Sequence, residues 1–127
     1  MNWIAQVLAV VVGVIVIVVG ALESFQFRNP RYYKLFLIRE QDWDAVRLWV
    51  VNLGFYNMVL GLGILTGVVV VNVGDVIVGA TMVIFGCAVH VIQGVVLGFT
   101  ERKLISSGVS QSVPPLLVIL LAAFLPA

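Results

Sequence analysis

Four stretches of the chain are almost free of polar side chains. From Trp3 to Leu22, twenty residues carry no charge and only Gln6 as a strongly polar group. At about 1.5 Å per residue, a helix of that length covers the roughly 30 Å of a bilayer's hydrocarbon core. Trp49 to Val71, Val76 to Phe99 and Val113 to Leu125 repeat the pattern, the last being the shortest. The expected architecture is a single all-α domain, a four-helix transmembrane bundle of two helical hairpins, with spans at 3–27, 46–71, 76–100 and 109–126. A secretory leader would begin with basic residues, and Met1-Asn2-Trp3 has none, so the first span is expected in the mature protein.

The polar segments between the spans, 28–45 and 101–108, have their own signals. Pro30 disfavours helix at Asn29 and ends the first helix near Arg28, while Asp42 and Asp44 suit the cap and first turn of the second. Tyr32, Tyr33, Phe36 and Trp43 interleave with basic residues, as in a segment lying among lipid headgroups. Ser106-Ser107-Gly108 and Ser110-Gln111-Ser112 read as turn and capping material. Pro114-Pro115 either opens a short fourth helix or interrupts a longer one starting near Ser107.

Charge adds an orientation. All seven Lys and Arg lie in or beside the two longer connections: Arg28, Arg31, Lys34, Arg39 and Arg47 at the first, Arg102 and Lys103 at the second. The positive-inside rule therefore predicts cytoplasmic loops at 28–45 and 101–108, with both termini outside, in a bacterial-type plasma membrane. Composition agrees: of 127 residues, 62% are hydrophobic and 10% charged, with mean hydropathy +1.18, which argues against a water-soluble globule. A net charge of +1 and the absence of a basic stripe exclude a nucleic-acid binder. The single Cys87 forms no intrachain disulfide, and the single His90 builds no His-rich metal site, so neither metal nor cofactor is expected.

Between membrane helices, packing is decided by close approach through small residues and by buried hydrogen bonds. At 100° per residue, Ala9, Gly13, Gly20, Glu23 and Ser24 share one broad side of the first helix. On the second, Asn52, Tyr56, Gly63 and Gly67 form one face and Gly54, Asn57 and Gly61 another, which predicts two sets of neighbours. On the third, Gly79, Gly86, His90 and Gln93 form the expected inward face, with Gly94 at its edge. Gly63-Ile-Leu-Thr-Gly67 and Gly94-Val-Val-Leu-Gly98 fit the small-xxx-small pattern of helix association. Glu23 is the one carboxylate inside a span, and an ionisable group there costs about 2.5–3.5 kcal/mol on insertion scales. Glu23, Asn52, Tyr56, Asn57, His90 and Gln93 all fall in the cytoplasmic half and form the candidate ligand-binding set. No nucleophile–base pair and no paired-carboxylate pocket accompany them, so an enzyme is not expected.

Leu22-Glu23-Ser24-Phe25, Asn29-Pro30, Phe36 and Asn52-Leu53-Gly54-Phe55-Tyr56-Asn57, with Gly61 and Gly63, resemble the small four-helix membrane proteins of domain of unknown function 1304. The resemblance implies that the acid near the end of helix one and the Asn-x-Gly-x-Tyr-Asn motif of helix two matter. It also implies that a Gln and a Pro near the start of helix four correspond to Gln111 and to Pro114 or Pro115. Gln26 and Phe27 stand where the family usually has a Trp. The expected function is binding, with translocation as an extension, of a small molecule or ion at a polar intramembrane pocket. Its rival is a non-catalytic accessory subunit of a larger membrane complex. Lipid and either a second copy or a membrane partner are the expected contacts.

Overall fold

The computed structural model describes residues 1–127 and is all-helical, with no strands. Its long elements are α1 (Trp3–Gln26), α3 (Trp43–Val73), α4 (Val76–Thr100) and α5 (Ile105–Phe124), with the single-turn α2 (Tyr33–Phe36) between α1 and α3. The four long elements, α3 and α5 each counted with the turn that leads into it, are long and apolar enough to cross a membrane.

Local chemistry sets the ends. Asn2 caps α1 by accepting from the Ala5 amide at 2.9 Å, and its amide reaches Leu121 O at 2.8 Å, tying the start of α1 to the end of α5. α1 stops at Gln26, where the Asn29 amide bonds back to the Gln26 carbonyl and Pro30 follows. The 28–45 segment holds two 3₁₀ turns and α2, and Leu37, in the left-handed region at φ 52°, turns the chain sharply between Phe36 and Ile38. Asp42 stands at the cap position of α3, but its carboxylate takes the Arg39 Nε at 3.0 Å instead of a helix amide. Asp75 caps α4 through the Ile77 and Val78 amides.

Two boundaries differ from the sequence reading. α3 starts at Trp43, before the expected 46, and α5 starts at Ile105, so the second connection is only 101–104. A 3₁₀ turn, Arg102–Leu104, capped by the Glu101 carboxylate, feeds α5 directly. Ser106 to Ser112 are therefore helical, and Pro114 and Pro115 lie inside the longer helix. There they deprive the Ser110 and Gln111 carbonyls of their amide partners, which membrane helices tolerate.

The helices close into a ring in which α1 packs along α3, α3 along α4, α4 along α5, and α5 along α1. The two most extensive interfaces, α1 with α3 and α4 with α5, contain the same lock. In the first, Gly20 and Ser24 of α1 meet Gly54 of α3, and Ser24 Oγ donates to Val51 O at 2.8 Å. In the second, Gly108 and Ser112 of α5 meet Gly94 of α4, and Ser112 Oγ donates to Val91 O at 3.1 Å. Both are a Gly-x-x-x-Ser turn seated on a glycine, with the hydroxyl bonded to the carbonyl three residues before that glycine. A Cβ at Gly20 would sit 2.5 Å from Gly54 O, and one at Gly108 would sit 2.5 Å from Gly94 O, so glycine is what lets the backbones touch.

The core divides along the bundle axis. Ala9, Val12, Val16, Ile64, Val83, Cys87 and Val118 form one apolar cluster in the middle and in the half away from the basic residues. Toward the basic end, the polar side chains Glu23, Ser24, Asn57 and His90 join the buried set, with Phe27 and Leu104 buried beyond them.

Candidate intramembrane site

Glu23 is 7% exposed, one turn from the end of α1, with its side chain turned into the bundle. Steps of seven residues, from Ala9 to Val16 to Glu23, put it on the same inward column. Asn57 is 8% exposed on the column of α3 that also carries Gly54, Gly61 and Ile64. The two side chains meet: Asn57 Nδ2 donates to Glu23 Oε1 at 2.9 Å. Glu23 Oε2 and Asn57 Oδ1 are buried with no donor. An acid in helix one and an amide 34 residues later thus form a single polar unit with two further oxygens, Glu23 Oε2 and Asn57 Oδ1, left without a partner.

His90, 2% exposed, follows Val83 and Gly86 along the inward face of α4. Its Nδ1 lies 2.9 Å from Gly86 O. A carbonyl only accepts, so Nδ1 carries the proton, and Nε2 is left as a third buried atom without a partner. Register sets its ring apart from the Glu23–Asn57 pair, because the ring turns back toward Gly86 while Asn57 leans toward the basic end to meet Glu23. Ile64 packs on Gly86; stepping toward the basic end, residue 60 of α3 then matches residue 90 of α4, and Asn57 lies about 4.5 Å further along the axis.

The other expected members do not join them. Asn52 is exposed and its amide donates to Leu48 O at 2.7 Å, while Tyr56 is 70% exposed on the outer surface of α3. At 100° per residue the Asn52–Asn57 motif wraps more than a full turn, so one helix cannot aim all of it inward. Gln93 is half-buried at the flank of α4, and Gln111 is half-buried in the second turn of α5. Gly61 and Gly67 are both used inside the bundle, against α1 and α4, whereas a Cβ at Gly63 would meet nothing. The Ser112 lock escaped the sequence reading because its serine looks like turn material. The available signal was the repeated Gly-x-x-x-Ser spacing at 20–24 and 108–112.

Two cavities lie elsewhere. One of about 320 Å³ opens at the basic end, walled by Phe27, Pro30, Tyr33, Phe36, Ile38 and Trp43 with Arg39 and Glu40 at its edge. The other, about 240 Å³, is an outward groove between α3 and α4 lined by Leu60, Gly63, Met82 and Phe85. No group of three His, Cys, Asp or Glu side chains is placed to hold a metal ion.

Four apolar helices around a buried carboxylate–amide pair define a small helical membrane protein with a polar centre in one half of its core. The chain belongs to the family described as Protein of unknown function (DUF1304), whose model matches residues 10–123. No curated protein and no solved structure matches it.

Proposed function

We propose that the protein binds a small cation at the Glu23–Asn57 pair, from the side of the membrane that carries the basic loops. The observation that carries this reading is a buried carboxylate with one oxygen held by an amide and the other free, beside a second free oxygen on Asn57. Charge in a membrane interior is retained where it serves an ion or substrate. No Lys or Arg lies on the inward columns to neutralise Glu23, because all seven are in or beside the two polar connections. The apolar cluster from Ala9 to Val118 stops the polar interior short of the opposite end, which supports binding from one side and no open path through a single copy. The proposed orientation is two helical hairpins, N-out/C-out, in the plasma membrane, with the binding half toward the cytoplasm. Titration of the purified protein with ammonium, sodium and potassium chlorides, followed by calorimetry, tests this: at least one cation binds saturably to wild type and none to Glu23→Gln. Equal binding to both proteins overturns it.

A second reading, assembly with another copy or with a membrane partner, is favoured by the outward face of α3. Asn52, Tyr56 and Gly63 share that face at membrane depth, and Tyr56 has no hydrogen-bond partner within the chain. A Tyr56→Phe, Gly63→Leu variant that keeps its fold but loses self-association or copurifying partners would support it.

A further inference from the structure

We infer that the Glu23–Asn57 pair exchanges a cation for a proton: with no cation bound, Glu23 is a neutral carboxylic acid joined to Asn57 at two points, and each cation taken up releases that proton toward the basic end. This rests on the cation-binding reading above and adds what the cation displaces. A carboxylic acid and a primary amide are two-point partners, the amide N–H donating to the acid's carbonyl and the acid's O–H donating to the amide's carbonyl. The structure holds the first bond, from Asn57 Nδ2 to Glu23 Oε1 at 2.9 Å. The atoms of the second, Glu23 Oε2 and Asn57 Oδ1, are the pair's two buried oxygens without a partner. One belongs to the acid and the other is a carbonyl oxygen, so a single proton on Oε2 turns two orphans into one hydrogen bond. A proton needs no cavity.

Charge points the same way. An ionised carboxylate left alone among apolar helices is costly enough that such a group is held neutral unless a counter-charge faces it. The surrounding elements supply none. α1 has no other ionisable side chain and α5 has none at all. α3 keeps Asp44 and Arg47 at its exposed start and turns Tyr56 outward, while Glu101, Arg102 and Lys103 lie beyond the end of α4. α4 itself offers Cys87, inside the apolar cluster, and His90, whose ring turns back to Gly86. The exchange balances: the Oε2–H bond breaks, the incoming cation meets the carboxylate charge, and the proton leaves to water with its own charge. The interior is neutral before and after.

Infrared spectroscopy and proton release read the two halves of the exchange. In detergent at neutral pH with choline chloride as the only salt, wild type is expected to show the carbonyl band of a protonated carboxyl group that moves on ¹³C-carboxyl labelling of glutamate and is missing from Glu23→Gln. Asn57→Leu keeps the band but moves it to higher frequency, because the acid's carbonyl has lost its donor. Replacing choline chloride by sodium, potassium or ammonium chloride at constant ionic strength removes the wild-type band for each cation that binds, and releases about one proton per cation into a weakly buffered solution. Glu23→Gln releases none. Raising the pH removes the competing proton, so cation affinity rises by up to about tenfold per pH unit. The labelled wild-type band and this pH dependence stand as readouts should either variant fail to fold. Glu23-dependent cation binding with no proton released, or wild type without the labelled acid band, overturns the exchange and leaves the cation site. No Glu23-dependent binding of any of these cations overturns both.

Discussion

Glu23 and Asn57 are each tolerable in a membrane interior only because of the other. Removing Asn57 takes the only donor from a buried carboxylate, whereas Glu23→Gln keeps an acceptor for Asn57 Nδ2 and adds an amide that can donate to Asn57 Oδ1. Asn57→Leu is expected to lower stability by about 1–3 kcal/mol, and Glu23→Gln to change it by less than about 1 kcal/mol. Equilibrium unfolding in mixed micelles checks the order. A larger loss for Glu23→Gln would mean that the charge itself holds the helices. At this scale the sequence exposed the acid, because any carboxylate in an apolar run stands out. It did not expose which amide serves it. Asn52 and Asn57 are chemically identical, and only the rotation of α3 against α1 separates the one bonded to its own helix from the one bonded to Glu23.

Among elements, the two Gly-x-x-x-Ser locks govern how closely the helices approach. A valine at Gly54 would drive Cβ into Ser24 and the Gly20 carbonyl, and one at Gly94 into Ser112 and the Gly108 carbonyl; in neither case can backbone give way as a side-chain tip would. Each is expected to cost about 3 kcal/mol or more, the upper end of overpacking penalties, read as a loss of thermal stability in detergent. Gly67→Leu, which meets the Gly79 carbonyl and Val83, belongs with them. Gly63→Val faces open space and is expected to leave the isolated chain's stability unchanged, so any defect it shows reports on a neighbour. Spacing alone showed that α3 has two small-residue faces. It could not show that Gly61 and Gly67 are both consumed within the bundle, because adjacent helices take up successive parts of a 31-residue helix.

For the whole molecule, the polarity of the basic residues predicts its orientation. In a Cys87→Ala background, Val73→Cys is expected to react with an impermeant thiol reagent in intact cells, and Ser106→Cys only after permeabilisation. The reverse pattern would invert the bundle and put the proposed binding half outside. The existence of four helices long and apolar enough to cross a membrane and the end that carries the charge were determined by the sequence alone, since transfer of apolar residues into lipid depends on local composition and length. The closed ring, the placement of Pro114 and Pro115 inside a continuous α5, and the division of the core into an apolar half and a half that also buries polar side chains were decided only by the tertiary structure. The physical reason is that lipid solvates an outward apolar face as well as a neighbouring helix does, so hydrophobicity does not say which side faces in. That choice falls to backbone contact at a few glycines and to hydrogen bonds between residues far apart in the chain.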